Sequence, residues 1–375
     1  HFGPSCALRG AGPAAMSLRG EAGWQATYQK AFGKERWPEL YKALKGPVSH
    51  VALVNAFRSP DAQADARQTN QLREHPTIPL VCHNAEGAAP GDGAENDEGL
   101  LLPASVAMGA ELDMVADGSA IAPLMPCYFL DGASVIAALA LQAQPGETVL
   151  DLCSAPGGKA VVLASQLFAQ RSEHGMRPAP PLMKGRLVCN ESSRPRSLRL
   201  TRVLSSFLPD ELMRPGGHVY VTNADAACAQ APPAIHRLGP FDRVLVDAPC
   251  TSDRHLAQKG RAELAHWAAG AVKANAERQL ELLRCAALLV KPGGVICYCT
   301  CALAEQENDG VVQKFMKRAA GSFEVDDLLG GEEGDGSQSL AAILPPGVEQ
   351  TACGVLFLPD RTAFGPMYVS RIRRL

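Results

Sequence analysis

What this 375-residue sequence lacks narrows the reading first. It has no basic excess: 36 Lys and Arg against 39 Asp and Glu leave a net charge of -3, so the molecule as a whole does not carry the field of an independent nucleic-acid binder. An RNA or DNA partner has to meet a local basic face or be delivered by another protein. No run of about 18 apolar residues occurs, so no membrane span is expected. The 12 cysteines contain no CxxC pair. The chain is also too long to need a disulfide scaffold, which points to a reducing compartment and mostly buried thiols. No internal repeat is visible.

What is present suits one large domain with appended segments: 46% of residues are hydrophobic and 20% charged, enough to bury a sizeable core. Residues 1–19 carry Arg9 and Arg19 with no acid before Glu21, a composition like an organellar transit sequence or its remnant, with a frayed terminus as the alternative. Helix-compatible text surrounds Trp37-Pro38-Glu39-Leu40-Tyr41, and Val51-Ala52-Leu53-Val54 follows as a short strand. Residues 85–99 form an acidic low-complexity stretch expected as a mobile loop. After residue 120, short β-branched runs alternate with helical segments, the pattern of a parallel α/β sheet. The expected strands are Thr148-Val149-Leu150-Asp151, Arg186-Leu187-Val188-Cys189, His218-Val219-Tyr220-Val221, Arg243-Val244-Leu245-Val246-Asp247 and Val295-Ile296-Cys297-Tyr298-Cys299. Helices are expected near 159–169, 195–206, 273–290 and 304–319. A terminal hairpin pairs Val355-Leu356-Phe357-Leu358 with residues 367–372. Pro-rich text at 178–181 and Gly/Glu-rich text at 330–336 read as surface insertions. The chain divides into an N-terminal extension with a small helical or irregular region, 1–120, and a catalytic domain, 121–375.

The most informative segment is Asp151-Leu152-Cys153-Ser154-Ala155-Pro156-Gly157-Gly158-Lys159, at a strand-to-helix turn of the kind where open parallel sheets bind ligands. It is not a P-loop, because Cys153 stands where the first Gly belongs and Ala160 replaces Ser/Thr, and it is not GxGxxG. Gly157 and Gly158 let backbone pass close to a ligand. A methionine-derived sulfonium cofactor fits better than a pyrophosphate. Acids at the next strand ends agree: Glu191 is placed for ribose hydroxyls, Asp225 for the adenine edge and Asp247 for the methionyl end.

Asp247-Ala248-Pro249-Cys250 and Cys299-Thr300-Cys301 end the last two parallel strands. A strand-end cysteine beside a cofactor is a nucleophile if its thiolate is stabilised. Methylating a pyrimidine at carbon 5 needs such a group, since that carbon is barely nucleophilic until a thiolate adds at carbon 6. A second group must then help remove the carbon 5 proton. Zinc is the rival reading, but Cys297, Cys299 and Cys301 at i, i+2 spacing without a His cluster make a poor tetrahedral set, and no metal is expected. Cys297 and Cys299 read as core residues.

These segments resemble the signature text of the Nop/Sun family of RNA 5-methylcytosine methyltransferases over roughly residues 120–375. Tyr128-Phe129-Leu130-Asp131-Gly132-Ala133-Ser134 is similar to the family's lead-in to the cofactor loop. Pro249-Cys250-Thr251-Ser252-Asp253-Arg254-His255 and Phe364-Gly365-Pro366-Met367-Tyr368 resemble its mitochondrial ribosomal RNA branch, and Arg36-Trp37-Pro38 and Leu53-Val54-Asn55 extend the likeness. The resemblance implies a Rossmann-like S-adenosylmethionine-dependent α/β fold with a mostly parallel seven-stranded sheet and a C-terminal antiparallel hairpin. It implies Cys301 as the thiolate that adds to cytosine, Cys250 as the residue assisting release and Asp247 as the group holding the base. It also implies S-adenosylmethionine contacts from Cys153, Ala155, Pro156, Gly157, Gly158, Lys159, Glu191, Arg196, Asp225 and Asp247. Departures from the family pattern are Glu191 for Asp and Ala226 for Gly, with Ser154 and Ala160 as milder changes.

The expected substrate is RNA, ribosomal RNA of the mitochondrial matrix, reached with a protein partner or the ribosomal assembly particle and without a membrane. The competing expectation is a non-catalytic scaffold in ribosome assembly. A DNA or protein methyltransferase is a weaker third, since nitrogen-directed methylation has no need of two strand-end thiols. Arg194, Arg196, Arg199 and Arg202, with Arg371, Arg373 and Arg374, are basic sets that read equally as an ordinary solvated helix face and tail.

Overall fold

The computed structural model describes residues 19–84, 113–114, 120–121, 124–172, 175–178, 185–330 and 340–375. The transit-like residues 1–18, the acidic stretch at 85–99 and most of both surface insertions lie outside them.

The central sheet has nine strands. Five run parallel in the order Val219–Thr222, Arg186–Asn190, Thr148–Asp151, Phe241–Asp247 and Val290–Thr300. Met367–Arg374 then adds antiparallel to Val290–Thr300, followed by Val355–Phe357 and Glu349–Gln350, while Phe323–Val325 pairs with Met367–Arg374. The expected seven strands and terminal hairpin are thus present, with two short strands added at that end. Register brings Asp247 opposite Cys299, so the segments after both residues leave the sheet side by side.

Strand alternation explains the two cores. Side chains of successive strand residues point to opposite faces, and both faces here are covered by helices, as parallel sheets require. Val149, Leu187, Cys189, Leu245, Cys297 and Cys299 join one core with the helices Gly132–Ala140, Gly158–Phe168 and Arg194–Phe207. Leu150, Val188, Val244, Val246, Ile296 and Tyr298 join the other with Ala269–Leu289 and Asp309–Ala319. Cys297 and Cys299 are fully buried.

The N-terminal helices Gly20–Phe32 and Trp37–Lys45 belong to that second core through Trp24, Tyr28, Trp37, Leu40 and Leu44. Val51 and its neighbours form the strand His50–Val54, which pairs antiparallel with Cys127–Asp131 in a separate four-stranded sheet. That sheet therefore contains chain from both sides of residue 120. The expected helix at 304–319 is split: a single 3-10 turn, Glu305–Glu307, precedes Asp309–Ala319. Glu307 and Asn308, both buried, spend their side chains on contacts outside the helix. Arg371 and Arg373 are not a solvated tail. They lie in the strand Met367–Arg374 and pair with Asp326 at 2.7 and 3.0 Å.

Candidate active site

The cofactor loop leaves Thr148–Asp151 and turns at Gly157 into Gly158–Phe168. Gly157 has φ +121, a conformation that L side chains rarely adopt. Gly158 is required by packing: a Cβ there would lie 2.8 Å from the Tyr128 ring. The absence of a side chain at Gly158 thus lets the Tyr128 ring pack against the start of the helix. The loop is tied to the next strand by Ser154 N–H donating to Asn190 O (2.8 Å) and to the helix Arg194–Phe207 by Arg196 Nη2 donating to Ala155 O (2.8 Å).

Asn190 is a hub that sequence reasoning missed. Its amide nitrogen donates to Leu152 O and Ala224 O, both at 3.0 Å, and its oxygen accepts from Thr222 Oγ1 and Ala224 N–H. It thereby locks the ends of three strands. The next residue, Glu191, is 2% exposed; it accepts from Ser193 N–H at 2.8 Å and pairs with Arg196 at 3.2 Å. Asp225 accepts from Ala227 N–H and from Arg278 Nη2, the latter at 2.9 Å. Cys153, Glu191, Asp225, Pro249 and Arg278 line one crevice. Arg278 comes from the helix Ala269–Leu289, and no local motif announced it.

Beneath this crevice Asp151 is 1% exposed, and neither carboxylate oxygen has a well-formed hydrogen-bond partner among the described residues. Burial, with Asp247 adding to it, pushes its pKa to about 7 against the opposing pull of Ser154 and Lys159. An orphaned buried carboxylate at a Gly-rich loop, beside two acids spaced along the strand ends, fits a cationic adenosyl ligand and does not fit a pyrophosphate.

Lys159 is directed away from those acids. Its Nζ pairs with Asp247 Oδ2 at 2.7 Å and lies 3.3 Å from Ser134 Oγ. Cys299 Sγ donates to the other Asp247 oxygen at 3.5 Å. Asp247 is therefore anchored from the cofactor helix and from the neighbouring strand.

Cys250 Sγ and Cys301 Sγ are 3.2 Å apart, although 51 residues separate them in sequence. Their titrations diverge. The neighbouring Cys250 S–H holds the Cys301 thiol below its usual range despite burial, and Cys301 with burial pushes Cys250 up. The pair therefore favours a Cys301 thiolate accepting from a protonated Cys250.

Two buried carboxylates hold the loop that carries Cys250. Glu307 accepts from Thr251 N–H (3.1 Å), the Thr251 hydroxyl and Gln279 Nε2 (2.8 Å), and Gln279 Nε2 also donates to Pro249 O at 2.9 Å. Asp253 accepts from Trp24 Nε1 (2.9 Å) and from Leu303 N–H (2.8 Å). The second bond joins the Cys250 loop to the Cys301 loop. Of the basic helix face, Arg194, Arg196 and Arg202 are exposed, Arg196 while paired with Glu191.

Known proteins resemble this chain in sequence and in fold. A family profile described as 16S rRNA methyltransferase RsmB/F matches residues 183–373. The mitochondrial tRNA (cytosine(34)-C(5))-methyltransferase of Mus musculus is 34% identical over 249 residues, covering 66% of this chain and 63% of that protein. The match thus spans less than two thirds of that relative. The 5-cytosine rRNA methyltransferase NSUN4 of Bos taurus is 30% identical over 379 residues, covering 93% of this chain and 87% of that one. Among solved structures, a methyltransferase homolog protein from Pyrococcus horikoshii superposes with a TM-score of 0.60 at 19% identity, over 95% of this chain and 96% of that one. NSun6 from Pyrococcus horikoshii, solved with SFG, gives 0.58 at 17% identity, over 93% and 97%. The fold is theirs, and by sequence the chain belongs to the RsmB/F family of S-adenosylmethionine-dependent RNA cytosine-5 methyltransferases.

Proposed function

We propose that this protein methylates cytosine carbon 5 in mitochondrial ribosomal RNA, in the matrix, with residues 121–375 carrying the chemistry and a protein partner or the assembling ribosomal particle presenting the RNA. The observation that carries the reading is the pair of strand-end thiols whose sulfurs lie 3.2 Å apart. Cys153, Glu191 and Asp225 of the crevice, with Ala155, Pro156, Gly157 and Gly158 of the loop, Arg196 of the following helix and the buried carboxylate of Asp151, would hold S-adenosylmethionine, which supplies an electrophilic methyl group when bound. Lys159 would act on that site through Asp247.

Cys301 forms the sulfur–carbon 6 bond, and the electron pair released into the ring makes carbon 5 nucleophilic. Asp247, fixed by Lys159 and Cys299, holds the ring nitrogen and amino edge of the base. After methylation, the carbon 5 proton passes to a water molecule, the electron pair of that bond re-forms the carbon 5–carbon 6 double bond, and the sulfur–carbon 6 bond breaks with its pair on sulfur, returning Cys301 to thiolate; Cys250 assists this release by donating its S–H to the departing sulfur. The near-neutral charge of the chain supports delivery of RNA by another component, since a net charge of -3 gives the molecule as a whole no attractive field for phosphates.

The test is transfer from labelled S-adenosylmethionine to mitochondrial ribosomal RNA. Cys301→Ala is expected to abolish transfer, and Cys250→Ala to accumulate a covalent RNA–protein adduct. Full turnover by Cys301→Ala would refute the two-thiol mechanism. Absence of cofactor binding in every form would leave the scaffold reading.

A further inference from the structure

Between the two carboxylate-clamped residues Thr251 and Asp253 sits Ser252, with φ +53 and ψ 54. This left-handed conformation is uncommon for a residue with a Cβ, and glycine takes it freely. Such a conformation persists only where the surroundings over-determine it, and here they do. Thr251 is held by Glu307 through both its N–H and its hydroxyl, and Asp253 is held by Trp24 and Leu303. Both carboxylates are 0% exposed. The outcome is the position of one atom: Ser252 Oγ accepts from the protonated Cys301 Sγ at 3.5 Å, lies 3.9 Å from Cys250 Sγ, and has only a long 3.5 Å contact to Cys250 O as the alternative acceptor for its own proton, which can turn to Cys301 once that sulfur is a thiolate.

We propose that the Ser252 hydroxyl is a third member of the thiol pair, fixed by the strained turn so that it donates a hydrogen bond to the Cys301 thiolate. The charges around Cys301 show why a neutral donor is needed. The titratable groups facing it are Cys250 from the adjoining loop, Asp247 from the neighbouring strand and Lys159 from the cofactor helix. Lys159 is engaged with Asp247 at 2.7 Å, so its charge is largely offset by a carboxylate that itself opposes a thiolate. What remains to stabilise the thiolate is the Cys250 S–H and the Ser252 O–H. The second is the stronger donor and has no proton to lose in the reaction. When Cys250 turns to product release, Ser252 still faces the departing sulfur.

The inference rests on Cys301 being the nucleophile, and its test needs neither cofactor nor RNA. Full-length wild type, Ser252→Ala and Ser252→Gly are alkylated with iodoacetamide from pH 5 to 10, and Cys301 is followed by peptide mass spectrometry. Both variants are expected to move the Cys301 midpoint up by about one pH unit, the equivalent of one hydrogen bond to a charged group. Below the midpoint the alkylation rate falls ~10-fold. The glycine variant accepts the left-handed turn, so it remains folded and isolates the hydroxyl from the backbone. If Ser252→Gly alkylates like wild type and only Ser252→Ala is impaired, the effect belongs to the backbone and the proposal fails. It fails alone if Cys301 is reactive and indifferent to both changes, and together with the proposed function if wild-type Cys301 is no more reactive than an ordinary thiol. A Ser252-dependent Cys301 in a protein that transfers no methyl to RNA supports the thiolate role and refutes the function separately.

Discussion

Asp151→Asn is expected to stabilise the cofactor-free protein while weakening its hold on the cofactor. Asp151 is buried without a well-formed hydrogen bond among the described residues, and its pKa is raised from 3.8 to about 7. A raised folded-state pKa means that the native protein binds the proton more tightly than the unfolded chain. The associated stability is therefore complete below pH 4 and is lost as pH rises through about 7. Moving a carboxyl over that range corresponds to at most about 4 kcal/mol above pH 8. Local relaxation and water entry return part of it, leaving about 2 kcal/mol, or ~4–8 °C in Tm. The assay is thermal unfolding of both proteins from pH 4 to 9. Their difference in Tm should be small at pH 4, grow to that size by pH 8 in favour of Asn, and shrink or reverse when saturating S-adenosylmethionine is added. Binding calorimetry should show at least ~10-fold weaker cofactor affinity in the variant, the loss of one charge-assisted contact. A Tm difference independent of pH, or an Asn variant that is less stable at pH 8, would refute the reasoning, because either result means that Asp151 is already satisfied by the protein.

Two further substitutions test the supports of the site. Glu307→Leu removes the carboxylate that accepts from Thr251 N–H, the Thr251 hydroxyl and Gln279 Nε2. It should cost about 2 kcal/mol by leaving a buried donor unpaired; an unchanged Tm, measured by calorimetry at pH 7, would contradict this. Gly158→Ala puts a Cβ 2.8 Å from the Tyr128 ring and should cost about 1–3 kcal/mol by overpacking. Combining it with Tyr128→Leu should recover part of that loss, and strict additivity in chemical denaturation would show that the two residues do not meet.

The parallel sheet was legible because its information is local. Each strand is a short β-branched run whose alternating residues, such as Val149 against Leu150 or Cys297 against Ile296, feed opposite cores. The cofactor loop was legible for the same reason, as a turn written in nine consecutive residues. The cysteines could be picked out as strand ends, but nothing in either segment measures the 3.2 Å between them. That distance follows from the adjacency and register of Phe241–Asp247 and Val290–Thr300, and from Asp253 bonding to Leu303 across 50 positions.

The sequence by itself determined which chemical groups end the strands: two thiols, three acids and a glycine turn, each set by its own neighbours along the chain. Only the tertiary structure decided their states. It set Lys159 on Asp247, left the Asp151 carboxylate without a well-formed hydrogen bond among the described residues, packed Tyr128 against Gly158, and turned Arg371 and Arg373 from tail charges into partners of Asp326. The physical reason is that a titration state or a hydrogen bond depends on burial and on groups brought together from distant segments, which no local spacing encodes.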